Sequence, residues 1–177
     1  VATALGMEVH ATSRHADAAV AASLGVALAP SAEKLFESCS HVVILCALTP
    51  QTRGMVDSGM IDRMPQVGAD GIACGSHLVN VARGGIVVEA EAAAALNSGV
   101  LASYSTDVFE MEPPSQDNSL LQCEGFHGTP HVGGATLEAQ ARVGMQIVQA
   151  VLAALDGDTP SDGVVCQGSD PSLISSD

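Results

Sequence analysis

The sequence predicts an α/β fold built around a mainly parallel sheet. Short runs of branched and leucine side chains alternate with alanine-rich stretches, the pattern of strands returned in one direction by helical crossovers. Apolar residues make up 47% of the 177 residues but aromatic residues only 2%, with no Trp, one Tyr and three Phe. A core of Ala, Val, Leu, Ile and Met suits close helix-on-sheet packing better than an aromatic-filled sandwich. The length suits one domain with a tail.

The elements follow in order. Val1 to Leu5 reads as the end of a helix, closed by Gly6. Met7 to Thr12 is a strand. Ala16 to Leu24 is helical and ends at Gly25. Ser31 caps a short helix through Ser38, because its hydroxyl can accept a free amide of the first turn. Val42 to Leu45 is a continuous apolar run, expected of a strand buried on both faces. Ser58 to Met64 is a helix stopped by Pro65, and Gln66 to Ser76 is a glycine-rich loop. Leu78 to Val81 is the next strand, followed by Gly84 and Gly85. Glu89 to Leu96 is helical and ends at Asn97-Ser98-Gly99. Tyr104 to Val108 is a strand, stopped by Pro113 and Pro114 at a polar loop. Thr136 caps the longest helix, in which Ala141, Gly144, Met145, Val148, Val151, Leu152 and Leu155 recur at helical spacing. From Asp156 the composition turns to Gly, Ser, Pro and Asp, as in a loosely ordered tail.

Charge and cysteine content narrow the function. Twenty acidic residues face six basic ones, for a formal charge of −14. The chain has no basic run, which argues against nucleic acid or anionic lipid as a partner. An anionic ligand must be held locally, by single arginines or backbone amides. Cys39, Cys46, Cys74, Cys123 and Cys166 are odd in number and form no CxxC pair, so neither a disulfide framework nor a zinc ribbon is expected. Reduced thiols suit a cytosol-like compartment. No run reaches membrane-spanning length, and the N-terminus has no signal-peptide pattern. A targeting segment upstream of Val1 is compatible with the sequence.

Three segments carry chemistry-bearing residues. In Val79-Asn80-Val81-Ala82-Arg83-Gly84-Gly85 an arginine leaves the carboxyl end of a strand, where open α/β sheets bind ligands. Asp107-Val108-Phe109-Glu110-Met111-Glu112-Pro113-Pro114 places carboxylates after another strand. Thr129-Pro130-His131-Val132-Gly133-Gly134-Ala135-Thr136 places a histidine before a Gly-Gly turn and a helix start. Each alone has a plainer reading: a surface arginine, loop carboxylates before prolines, a structural histidine. His10, His15, His41, His77 and His127 show no metal-ligand spacing with His131, so no zinc site is expected.

In this order the three segments resemble the D-isomer-specific 2-hydroxyacid dehydrogenases, a family that includes phosphoglycerate dehydrogenases and glyoxylate/hydroxypyruvate reductases. LCALTPQTRGMV is similar to a further signature of that family, and the likeness runs from about Leu5 to Leu155. The resemblance implies a Rossmann-like doubly wound parallel sheet, lacking its first strand and glycine-rich loop. Residues 1–135 would be a partial nucleotide-binding domain. Residues 136–155 would be a long helix returning toward the substrate domain, and 156–177 a flexible tail. Arg83 would hold the substrate carboxylate, a planar anion suited to a bidentate donor. His131 would donate a proton to the keto oxygen in reduction and accept it in oxidation. Glu112 would pair with His131; Glu110 competes, but the family's glutamate directly precedes the proline. Cys46, Val81, Ala82, Arg83, Asp107, His131 and Gly134 would line the cofactor site, with Asp107 at the carboxamide end.

At the end of the strand Met7 to Thr12, NAD enzymes usually carry an acidic residue for the ribose hydroxyls. Here Ser13, Arg14 and His15 occupy that place. No carboxylate repels a 2′-phosphate and Arg14 can bind one, so NADP is the expected cofactor in preference to NAD. The expected ligand is a small 2-oxo or 2-hydroxy acid. The full-length form is expected to be cytoplasmic and a homodimer.

The sequence also departs from the family. The GxGxxG fingerprint and first strand belong ahead of Val1, so the isolated chain is expected to bind cofactor weakly and to be inactive. Gln66 to Ser76 is longer than the family's turn, either a surface insertion on the face opposite the cofactor or a sequence error. Ser103-Tyr104-Ser105-Thr106 replaces a small apolar run. Two other readings compete: a nucleotide-sensing protein-interaction module of the same fold, and an inactive truncated product. Formate dehydrogenase fits less well, because that branch pairs its histidine with glutamine.

Overall fold

A computed structural model describes residues 1–158. They fall into two compact units that divide between His131 and Val132. The first is an α/β unit, in agreement with the predicted fold class.

Its strands are β1 (Val9–Ala11), β2 (Val26–Leu28), β3 (His41–Ile44), β4 (His77–Asn80), β5 (Ser103–Thr106) and β6 (Phe126–Gly128). All pairings between them are parallel. β1 pairs with β2, and a separate sheet runs β3-β4-β5-β6. The helices are α1 (Ala18–Ser23), α2 (Ala32–Ser38), α3 (Ser58–Ile61) and α4 (Glu89–Ser98). Capping follows the sequence. Ser31 accepts from the Lys34 amide, and Asp17 and Asp57 do the same for α1 and α3. Gly99 ends α4 in a left-handed conformation that costs glycine no Cβ strain.

The helices α2, α3 and α4 pack on one face of the four-stranded sheet. Phe36, Met60, Ile61, Ala92 and Leu96 meet Val42, Ile44, Leu78 and Tyr104 in one core. The strand around Val42 was expected to be buried on both faces, but Val43 is 53% exposed. Pleating turns alternate residues to opposite faces, and within this unit the helices lie on only one of them. Buried polar groups on the covered face are satisfied. Thr106 donates to the Asn80 carbonyl, and the Asn80 amide bridges the Ala82 N–H and the Arg83 carbonyl.

Several expected boundaries change. The first segment is a 3₁₀ turn at Thr3–Leu5, and the strand after it covers only Val9–Ala11. The α3 helix ends at Ile61, three residues before Met64. β2 and β6 were not expected as strands, and Ser119–Gln122 forms a 3₁₀ turn in the polar loop. The loop Gln66 to Ser76 closes on itself. Val67 bridges Ala73, and the Gln66 carbonyl accepts from the Cys74 and Gly75 amides. It joins β4 at its amino end, while Arg83 follows the carboxyl end.

In the second unit, α5 (Leu137–Leu155) starts where Thr136 accepts from the Ala139 amide. It exposes Val143, Ile147, Val148, Val151 and Leu152. Of the tail expected over 156–177, residues 159–177 lie outside the described residues, as does Cys166. No helix among the described residues is long and apolar enough to cross a membrane.

Leu78 is fully buried and Val43 is not. Leu78→Ala is therefore expected to lower unfolding free energy in urea by about 2–5 kcal/mol, and Val43→Ala by less than about 1 kcal/mol. Equal losses would contradict the one-sided packing. Burial also raises the Tyr104 phenol from 10.0 to about 12. In the unfolded chain the phenol ionises from its ordinary value upward, so its contribution to stability is full below pH 10.0 and lost on rising to about 12. In the folded chain phenolate absorbance should have its midpoint at about 12; a midpoint near the ordinary value would contradict the burial.

Candidate active site

Parallel strands point their carboxyl ends to one edge of the sheet, and the loops that carry the site residues leave there. Arg83 follows β4, Asp107 to Glu112 follow β5, and Thr129 to His131 follow β6. β4, β5 and β6 are neighbours, so residues far apart in sequence are brought side by side.

Glu112 and His131 meet. The Glu112 Oε2 lies 2.7 Å from His131 Nδ1. An ionised carboxylate only accepts, so Nδ1 carries the proton of this bond and Nε2 is left for another partner. Glu112 Oε1 accepts from the Phe109 amide at 3.0 Å. Hydrogen bonds from His131 and then from Phe109 hold the Glu112 carboxyl below its ordinary value, against a smaller opposing effect of desolvation. Its contribution is therefore full above the ordinary carboxylate value and lost as pH falls through the lowered one. His131 has φ 53°, in the left-handed region that costs a residue with a Cβ about 1–2 kcal/mol. Such a conformation on a side chain with a charged partner is a mark of a functional position.

Arg83 is exposed, and its Nη1 donates to the Ala82 carbonyl at 2.7 Å. No hydrogen bond or ion pair joins it to Glu112 or His131. Its backbone is fixed by the buried Asn80 side chain. The next residue, Gly84, packs directly on the following loop. A Cβ there would stand 1.7 Å from the Phe109 carbonyl oxygen. The arginine loop and the glutamate loop are thus in backbone contact.

A cleft of about 200 Å³ opens beside these loops, lined by Val79, Val81, Ser105, Thr106, Asp107, His127, Gly128 and Thr129. Its walls are mainly apolar, and Asp107 accepts from the Thr129 hydroxyl at 2.6 Å. A flat heteroaromatic ring bearing a carboxamide fits this combination: branched side chains for the ring and a carboxylate for the amide N–H. Val81 is exposed beside it and Ala82 is buried. Cys46 is a free, exposed thiol after β3. Ser13 and Arg14 are exposed after β1, where the Ser13 hydroxyl accepts from the His15 amide at 3.3 Å. Gly134 belongs to the second unit, where its carbonyl accepts from Gln140 Nε2. Among the described residues no group of three or more His, Cys, Asp or Glu side chains is arranged to hold a metal.

Sequence reasoning assigned no role to Asn80, Glu89 or Thr129. Asn80 carried a signal, a polar residue inside an apolar strand. Thr129 and Glu89 act through partners distant in the chain, which spacing does not reveal.

Residues 1–133 match the family described as D-isomer specific 2-hydroxyacid dehydrogenase, NAD binding domain. The chain is 35% identical to D-3-phosphoglycerate dehydrogenase 2, chloroplastic, of Arabidopsis thaliana over 98% of its own length and 26% of that protein's. It thus spans about a quarter of that relative. Among solved structures, a Granulicella formate dehydrogenase aligns with TM-score 0.80 and 26% identity, over 91% of this chain and 41% of that one. An NADPH-dependent glyoxylate/hydroxypyruvate reductase from Sinorhizobium meliloti, in complex with NADP and sulfate, aligns with TM-score 0.77 and 27% identity, over 92% and 47%.

The pairing can be read directly from the carboxylate. In His131→Leu, the NMR titration midpoint of the Glu112 carboxyl carbon should rise toward 4.5, its ordinary value. An unchanged midpoint would show that the imidazole does not hold the carboxylate.

Proposed function

Because this chain belongs to the D-isomer specific 2-hydroxyacid dehydrogenase family through its NAD-binding domain, we propose that the whole protein is an oxidoreductase acting on a small 2-hydroxy or 2-oxo acid. The hydrogen bond between Glu112 and His131 carries the reading. A nucleotide-sensing module does not need an imidazole with one nitrogen fixed by a carboxylate. Acid/base chemistry at a carbon bearing oxygen does.

Nicotinamide supplies the hydride acceptor or donor when bound. The residues that would hold it are Val81, Ala82 and Asp107, together with Cys46 on the β3 side. Asp107 is the group for the carboxamide. Arg14 and Ser13 would take the adenosine ribose, with Arg14 favouring a 2′-phosphate and hence NADP over NAD. In the reducing direction His131 Nε2 gives its proton to the keto oxygen, and the Nδ1 proton stays on the ring, donated to Glu112. In oxidation Nε2 takes the proton back, and Glu112 compensates the imidazolium charge. Arg83 leaves the Ala82 carbonyl and receives the substrate carboxylate with two of its guanidinium nitrogens, which sets the reacting carbon beside His131. Glu112 in place of glutamine favours a 2-oxo acid over formate. The proposal extends to a cytoplasmic homodimer for the full-length form.

In the whole protein, His131→Gln is expected to lower kcat by about a hundredfold or more. Arg83→Ala should lower kcat/KM through lost carboxylate positioning. Steady-state rates on glyoxylate, hydroxypyruvate and other 2-oxo acids check both, and near wild-type rates in both variants would refute the assignment. The ratio of kcat/KM for NADPH and NADH should exceed one and fall in Arg14→Ala; an NADH preference would remove the role given to Arg14.

A further inference from the structure

We propose that Glu89, at the start of α4, is a positioning residue that aims Glu112 at His131. This rests on the reading of Glu112 and His131 as the acid/base pair. Glu89 touches neither of them and acts through the backbone from Phe109 to Glu112.

The observations converge on the bond between Phe109 and Glu110. Its N–H, on Glu110, donates to Glu89 Oε1 at 2.5 Å. Its carbonyl, on Phe109, faces Gly84, where a Cβ would come within 1.7 Å. The Glu110 carboxylate returns the contact by accepting from the Glu89 amide at 3.1 Å. Glu89 is itself held, since its Oε2 accepts from Asn118 Nδ2 at 2.6 Å. Asn118 in turn is oriented by the Leu120 amide, which donates to its Oδ1, and Leu120 is fully buried. A path of hydrogen bonds therefore runs from the core to the Phe109–Glu110 peptide.

That peptide sets Glu112. The preceding amide, on Phe109, donates to Glu112 Oε1 and leaves Oε2 for His131 Nδ1. The Phe109 N–H lies in the peptide before it, whose Val108 carbonyl is 2.7 Å from the buried Thr106 hydroxyl; fixing the Phe109–Glu110 peptide as well holds the backbone that leads from this N–H to the carboxylate that accepts it. Without Glu89 the loop keeps its sequence but loses the acceptor for the Glu110 amide. An exposed amide can turn to water at little cost, and the backbone from Glu110 to Glu112 shifts with it, which carries the Glu112 carboxylate off the Phe109 N–H. Glu89 also sits where a helix start favours negative charge, a role in stability alone. The two roles make different predictions.

The test follows the Glu112 carboxyl carbon by NMR titration, and thermal unfolding in parallel, in the 177-residue chain. Glu89→Ala should raise the Glu112 midpoint by about half a pH unit or more, as loss of the bonds that favour the charged form requires. Glu89→Gln keeps one oxygen for the Glu110 N–H but loses the acceptor for Asn118 Nδ2, and should restore part of the shift. If Glu89→Ala unfolds, Glu89→Asp shortens the side chain, keeps the charge at the helix start, and should raise the midpoint in the same sense. A lower unfolding temperature with an unmoved midpoint in both Glu89→Ala and Glu89→Asp would overturn the proposal. If His131→Leu still shifts that midpoint, the pair itself survives and only the role of Glu89 is lost. If neither substitution moves it, the pair is absent and both readings fall.

Discussion

An imidazole that gives one N–H to a carboxylate has a single nitrogen left for chemistry, and the 2.7 Å contact between Glu112 and His131 imposes that condition. Everything that gives the candidate site a direction follows from it. In the proposed reaction the proton to be moved is the one on Nε2, with the substrate oxygen on that side of the ring and Arg83 at the far end of the same molecule. The fold supplies the contact through adjacency. β5 and β6 pair in register from Tyr104 with Phe126 to Thr106 with Gly128. The loops that follow them therefore start level with one another.

Magnitudes show how little the arrangement adds to stability. An exposed ion pair contributes at most about 1 kcal/mol to stability. The side chains of His131 and Glu112 are 46% and 35% exposed. The left-handed backbone at His131 costs about as much or more. Taken together the contact yields no clear gain in folding, which agrees with the orienting role proposed for it. The same holds for Gly84. A side chain there would add apolar surface to the loop, yet it would collide with the Phe109 carbonyl that belongs to the glutamate loop. Close backbone approach between the two site loops is what the missing Cβ allows.

Much of this was legible in the sequence, for identifiable reasons. α2 and α5 were found because Ser31 and Thr136 are efficient caps and the residues after them repeat at helical spacing. The choice of Glu112 over Glu110 rested on the resemblance, and the structure places Glu112 beside the ring while Glu110 faces the start of α4. β2 and β6 escaped notice because three residues are too few for periodicity, and Phe-His-Gly has little strand character of its own. Pairing with a neighbour makes them strands, and pairing is a tertiary fact. The open face around Val43 was misjudged because a continuous apolar run carries no information about which face its helices cover. Glu89 was invisible for a related reason: its partners lie twenty or more residues away and meet it through backbone atoms, which no side-chain pattern records.

The central claim is that Arg83, Glu112 and His131 address one substrate molecule. A crystal structure of the whole protein with NADPH and oxamate, a 2-oxo acid mimic, tests it most directly. The account predicts the oxamate carboxylate in a two-pronged contact with Arg83, the amide carbonyl oxygen within hydrogen-bond distance of His131 Nε2, and Nδ1 still on Glu112. Oxamate bound away from Arg83, or His131 turned from Glu112 with the ligand in place, would contradict it.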